Sequence, residues 1–112
     1  MSVRSKYEAE LALVFGKLTK MCRETELSIE KSVQALKTRD KKLAREVMDN
    51  DKNIDAAERD IEQDCLKILL MEHPVASDFR DISAALKMIT DLERIADQAS
   101  DIAEISLHFP DE

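Results

Sequence analysis

Turn-forming residues are scarce in this sequence: one glycine (Gly16) and two prolines (Pro74 and Pro110) in 112 residues. A β-rich or loop-rich fold needs such residues every few positions, so their scarcity excludes both. A single glycine also rules out a Gly-rich phosphate loop, and with it P-loop and dinucleotide-binding readings. Tryptophan is absent and aromatics make up only 4%, so the core must be aliphatic, which suits helix-on-helix packing. No apolar run approaches the ~20 residues of a membrane span. Met1-Ser2-Val3-Arg4 leads straight into charged amphipathic sequence, so neither a secretory leader nor membrane insertion is expected. The two cysteines, Cys22 and Cys65, lie on or beside apolar stripes and outside any Cys-x-x-Cys pair. They read as buried free thiols in a reducing, cytoplasmic-type compartment. The two histidines, His73 and His108, fall at helix ends, which leaves no material for a His/Cys zinc site. A Glu-x-x-His di-iron pattern is absent too, since Leu70 and Ile105 stand three residues before them.

Hydrophobic residues at 44% and charged residues at 37% describe a chain able to bury a core in one domain, residues 1–112. The formal net charge of −7 argues against nucleic acid as a partner, because phosphate backbones attract basic surfaces. Periodicity supplies the fold. Tyr7, Leu11, Val14, Leu18, Met21, Thr25, Ile29, Val33 and Leu36 step in threes and fours along one helix over about 3–37, widened by Phe15 and Cys22. Asp40 is placed to cap the next helix, about 41–71, whose stripe is Leu43, Val47, Ile54, Ala57, Ile61, Cys65 and Ile68. Pro74 marks the following boundary. A third helix, about 75–107, runs on Ile82, Ala85, Leu86, Ile89, Leu92, Ala96, Ala99 and Ala103. Short connections make neighbours antiparallel, so an all-α, up-down-up three-helix bundle is predicted. Its expected buried set includes Leu11, Leu18, Val47, Ile54, Ile61, Leu86, Ile89 and Leu92. Ile95, Ile102 and Ile105 form a second apolar patch on the third helix, either a wide stripe serving two neighbours or an association surface.

The acidic residues carry the chemistry. Asp49-x-Asp51-x-Asn53 imitates the start of an EF-hand loop, but the sixth and twelfth positions hold Ile54 and Asp60 instead of Gly and Glu. More telling are the vertical ranks. Asp51 and Asp55 are four apart, with Glu58 and Glu62 continuing the row, and Glu93 and Asp97 are four apart, with Asp101 next. Like charges at this spacing repel by a few tenths of a kcal/mol per pair, so helix stability alone would favour Lys or Arg there. Both ranks border the apolar stripes, so packing through the stripes would bring four carboxylates toward one point between the second and third helices. An oxygen-only site suits hard cations such as Mg²⁺, Ca²⁺, Mn²⁺ or Fe³⁺. The competing reading is a solvated acidic face neighboured by Lys52, Arg59, Lys87 and Arg94.

His73-Pro74-Val75-Ala76-Ser77-Asp78-Phe79-Arg80, then Ala85-Leu86-Lys87 and Asp91-Leu92-Glu93-Arg94-Ile95-Ala96-Asp97, resemble the repeat unit of the PhoU family, which accompanies bacterial phosphate transport and its two-component signalling. The family's Asp-x-x-x-Asp element on the preceding helix is matched by Asp51 to Asp55. The resemblance implies one three-helix repeat that binds metal through Asp51, Asp55, Glu93 and Asp97, with Asp101 and Glu58 as additional candidates. It implies oxygen-ligated metal, with iron, magnesium, manganese and zinc as candidates. It also implies partners in the ATPase of the phosphate ABC transporter and a sensor histidine kinase, a cytoplasmic location extending to the inner face of the membrane, and damping of the phosphate-starvation response. This sequence departs from the family pattern at Ala96 (usually Gly), Gln98 (usually His) and Asp101 (often Asn). Typical members hold two repeats, so a single repeat is expected to be a separate half or to pair with itself as a homo-oligomer.

No enzyme is expected. A metal-dependent phosphohydrolase is weakly supported, because no candidate nucleophile or general acid stands beside the acidic ranks. A generic helical scaffold or dimerisation module is the alternative from a different class, and metal titration separates it from the regulator.

Overall fold

The computed structural model describes residues 3–71 and 75–110. Three α-helices follow in chain order, α1 (Val3–Thr38), α2 (Lys41–Met71) and α3 (Ala76–Leu107), each packed against the other two. The antiparallel up-down-up bundle is 64 Å long and at most 20 Å across. His73 and Pro74, read above as a helix end and boundary, lie outside the described residues.

The turn between α1 and α2 spans two residues. Arg39 takes a left-handed conformation, φ 57°, and the Asp40 N–H reaches back to the Ala35 carbonyl at 3.1 Å, closing α1 by the six-to-one bond of a Schellman end. The Asp40 carboxylate then accepts from the Leu43 N–H at 3.0 Å and caps α2. Arg39 also ties this end of the bundle to the end of α3. Its guanidinium lies 5.7 Å from the Phe109 ring centre and donates to the Pro110 carbonyl at 3.3 Å. At the start of α3 the buried Asp78 carboxylate accepts from the Val75 N–H at 3.1 Å.

Packing follows a seven-residue register. On α1 the inward positions are Leu11, Val14, Leu18, Met21, Thr25, Ser28, Ser32 and Ala35. On α3 they are Ile82, Ala85, Ile89, Leu92, Ala96, Ala99, Ala103 and Ser106. On α2 they are Ala44, Val47, Asp51, Ile54, Glu58, Ile61, Cys65 and Ile68. The predicted seam of α1 is therefore wrong in its second half. Ile29, Val33 and Leu36 are exposed, and Ser28, Ser32 and Ala35 face inward instead. The reason is steric. Ala35, in this half, packs in one cluster with Ala44, Val47, Ala99 and Ala103, where a small side chain lets the helices approach closely and a leucine would hold them apart. The Thr25 and Ser32 hydroxyls are satisfied locally, donating to the Met21 and Ile29 carbonyls at 2.9 and 2.8 Å. Of the predicted buried set, Leu18, Val47, Ile54, Ile61 and Ile89 are buried, whereas Leu11, Leu86 and Leu92 pack against the core at its edge and are half-buried.

Two apolar clusters result. The larger runs from Tyr7 and Ile82 to Ile54 and Ala96, and the smaller joins Ala35, Ala44, Val47, Ala99 and Ala103. Asp51 stands where they meet on α2, between Val47 and Ile54.

Candidate metal centre

Asp51 and Glu58 occupy inward positions of the α2 register, one turn either side of Ile54 and Asp55. A carboxylate in that register is half-buried by the geometry of the bundle, whatever its charge prefers. Asp55, four residues beyond Asp51, turns toward α3, and from α3 Asp97 meets them. One oxygen from each of Asp51, Asp55 and Asp97 lies within 4.8 Å of the others, and all three residues are half-buried. Oδ1 of Asp51 and Oδ1 of Asp55 are fully shielded from solvent, yet receive no hydrogen bond from the described residues.

The remaining candidates sit around this trio. Glu93, a turn before Asp97 on α3, is half-buried. It is outside the group of three whose oxygens converge. Its interaction with the Asp97 side chain, followed by burial and by the charges of Asp97, Glu58 and Asp55, pushes its pKa from 4.5 to about 7. Burial raises Asp51 from 3.8 to about 6, with the charges of Asp97 and Asp55, the side-chain interaction with Asp97 and the charge of Asp101 adding to it. Glu58 is half-buried, and its pKa is raised by burial and then by Asp55 and Glu62, with Arg59 opposing. Asp101 is exposed, and its charge adds to the rise at Asp51. The short segment resembling an EF-hand lies within continuous α2 helix.

The same helix offers a control. Asp60 and Asp64 are also four apart on α2, and there α1 supplies a cation: Lys17 Nζ lies 2.8 Å from Asp60 and 2.7 Å from Asp64. Between the carboxylates of Asp51, Asp55 and Asp97 no lysine, arginine or histidine among the described residues forms an ion pair. At the matching level α1 presents Thr25, Ser28 and Ser32, with Thr25 and Ser32 donating to their own helix. Carboxylates of low solvent access with orphaned oxygens carry an electrostatic cost that an oxygen-seeking cation removes, so the residues present fit a hard metal ion. They do not compose a nucleophile with its base, and nothing in the cluster orients a water or substrate for attack.

Fold and site together define a class, a slender three-helix domain whose α2–α3 seam holds one acidic cluster able to take a metal. The chain belongs to the PhoU family, matching the PhoU domain over residues 18–106. It is 39% identical over 106 residues to the phosphate-specific transport system accessory protein PhoU homolog of Borreliella burgdorferi, covering 94% of this chain and 48% of that protein. The homolog of the same name in Pseudomonas aeruginosa is 36% identical over 110 residues, 98% of this chain and 46% of that protein. A third, from a Burkholderia species, is 36% identical over 99 residues, 88% and 42% respectively. The chain thus spans about half the length of the curated relatives it matches. Those relatives bear the names of transport accessory proteins, not of enzymes. No described helix is long and apolar enough to cross a membrane.

Proposed function

We propose that this chain is a regulatory unit of the phosphate-specific transport system, and that it binds metal through Asp51, Asp55 and Asp97 with Glu93 completing the site. Glu58 and Asp101 tune the site through charge. The observation that carries the metal reading is the pair of shielded, partnerless oxygens on Asp51 and Asp55 facing Asp97. The ligand set is all oxygen, which favours iron, magnesium or manganese over zinc. Once bound, the cation supplies the positive charge that Lys17 supplies to Asp60 and Asp64. The chain's own residues do the rest. The α2 register fixes Asp51 against Ile54, and α3 presents Glu93 and Asp97 as a rigid rank one turn apart.

The regulatory part of the reading is supported by family membership and by the names of the relatives. We assign the damping of phosphate uptake and starvation signalling to contacts with the transporter's ATPase and a sensor histidine kinase, at the cytoplasmic face of the membrane. Metal content of protein purified without chelator, with calorimetric titration of the stripped protein by Fe³⁺, Mn²⁺ and Mg²⁺, tests the site. Binding that Asp55→Asn and Asp97→Asn each abolish is expected. Silence across all three ions would remove the metal and leave a helical scaffold. Co-purification with the transporter ATPase tests the partner separately.

A further inference from the structure

Three hollows follow one another along the seam between α1 and α2. The first, of 210 Å³, lies between Leu13 and Lys17 on α1 and Asp64 and Lys67 on α2. The next, of 530 Å³, is bordered by Lys17, Lys20 and Glu24 and, across the seam, by Asn53 and Asp60. The third, of 280 Å³, sets Glu24, Leu27 and Lys31 opposite Glu46 and Asn50. Neighbouring hollows share a wall, Lys17 in one case and Glu24 in the other, so together they form one groove. Buried Ile68, Ile61, Met21 and Val47 make its floor. Its rims keep the seven-residue register of the core. Leu13, Lys20 and Leu27 stand seven apart on α1, one to each hollow, and Lys67, Asp60, Asn53 and Glu46 descend α2 in the same steps. Leu13 is 67% exposed and Leu27 50%.

We infer that this groove receives a helix of a partner protein, laid along α1 and α2 as a fourth member of the bundle. Apolar side chains of that helix lie against Leu13 and Leu27, and a carboxylate lies against Lys20. Periodicity chooses a helix. Hollows one heptad apart, ~10 Å along the axis, match the repeat of a helix in a bundle, whereas the side chains on one face of an extended chain recur every ~7 Å. Charge chooses the sequence. Lys17 already pairs with Asp60 and Asp64, while Lys20 forms no ion pair among the described residues. The α1 rim therefore offers a cation between two exposed leucines, and its complement reads apolar, acidic, apolar at seven-residue steps. A lysine or arginine at the centre of the visiting helix would be turned away by Lys20. A second copy offering the same row about a two-fold axis would set Lys20 against Lys20, which disfavours self-pairing here. The acidic cluster lies in the other seam of α2, so the inference rests neither on the metal reading nor on the phosphate-transport reading.

Fluorescence anisotropy of two labelled synthetic peptides, titrated with the protein in chelator, tests it. Both peptides are amphipathic helices with the same apolar inward face. One carries leucine, glutamate and leucine at seven-residue steps on the flank toward α1, and the other has lysine in place of the glutamate. The first is expected to bind wild type at least tenfold more tightly than the second. Leu13→Lys and Leu27→Lys are each expected to weaken the first by tenfold or more, and Lys20→Glu is expected to reverse the preference between the two. Leu66→Lys, outside the groove at 46% exposure, is expected to leave binding unchanged. Helical circular dichroism checks that the variants fold. No binding of the first peptide, equal binding of both, binding indifferent to Leu13 and Leu27, or a preference that Lys20→Glu leaves in place would each overturn the inference. So would a dimer of the chain that Leu13→Lys disrupts, because a second copy would then fill the groove.

Discussion

Asp51→Asn separates the cost of the acidic cluster from its use. In the metal-free protein the wild-type carboxyl is raised from 3.8 to about 6, so native protein holds the Asp51 proton more tightly than unfolded chain does. At about 1.4 kcal/mol per pKa unit, that shift corresponds to roughly 3 kcal/mol against folding once the group is ionised in both states. Water reaches the half-buried site, and relief at Asp51 is shared with Asp97, so a gain of about 1–2 kcal/mol is expected from the neutral isostere. For a chain of this size that is a rise of roughly 4–10 °C in Tm at pH 8 in chelator. The sign check follows from the raised pKa: the variant's advantage is near zero at about pH 4, grows as pH rises, and levels off above about pH 7. Adding Mn²⁺ should reverse the ranking, because wild type gains stability by mass action and the variant does not. Thermal melts followed by circular dichroism, at a pH series with chelator and with metal, read all of this. A variant less stable than wild type in chelator at pH 8 would refute the repulsion argument. A ranking unchanged by every metal tried would refute the site.

Three further outcomes are expected. Stability of the wild-type protein in chelator should fall as pH rises from about 4.5 to about 7, because Glu93 binds its proton more tightly in the folded state, and saturating metal should flatten or reverse that slope; a pH series of urea melts checks it. Ile54→Ala, beside Asp51 and fully buried, should cost about 2–4 kcal/mol in the same urea melts and leave the ligands in sequence untouched. Asp40→Ala should cost about 1 kcal/mol by orphaning the Leu43 N–H at the start of α2, whereas Asp40→Asn should cost little; a loss shared equally by both would point away from capping.

Helix number, type and limits were legible in the sequence because glycine and proline are confined to a few positions and the three-four apolar step is long. The α3 stripe was legible for the same reason, and the α2 stripe at Val47, Ile54, Ile61, Cys65 and Ile68, whereas Leu43 and Ala57 are half-buried and Ala44, Asp51 and Glu58 take the inward positions. The second half of α1 was not. Hydrophobicity ranks Ile29, Val33 and Leu36 above Ser28, Ser32 and Ala35, yet the latter are the buried set, with Ala35 packed among Ala44, Val47, Ala99 and Ala103. The available signal was on the other helices, whose alanines announce a close approach that large residues on α1 would prevent. The pairing of Asp51 with Asp55, and of Glu93 with Asp97, could be read from spacing. That the two ranks approach each other between α2 and α3 could be read from the borders of the stripes; that Asp97 joins the converging three and Glu93 does not could not, because it depends on the vertical offset of two antiparallel helices.

The two acidic pairs on α2 have identical spacing and opposite treatment, and that contrast says more about the site than acidity does. Asp60 and Asp64 lie on the α1 side, where Lys17 reaches both, and their exposed geometry makes the pairing worth at most about 1 kcal/mol. Asp51 stands in the register of the core, between Val47 and Ile54, where an apolar residue would have joined the two hydrophobic clusters into one. Leucine there would gain burial and remove repulsion together, so stability cannot be the reason for aspartate. A lysine from α1 at the level of Ser28 would neutralise the cluster from within. It would also fill the space between Asp51, Asp55 and Asp97 with a fixed charge. Small hydroxyls in its place leave the charge of the cluster without a cation from α1.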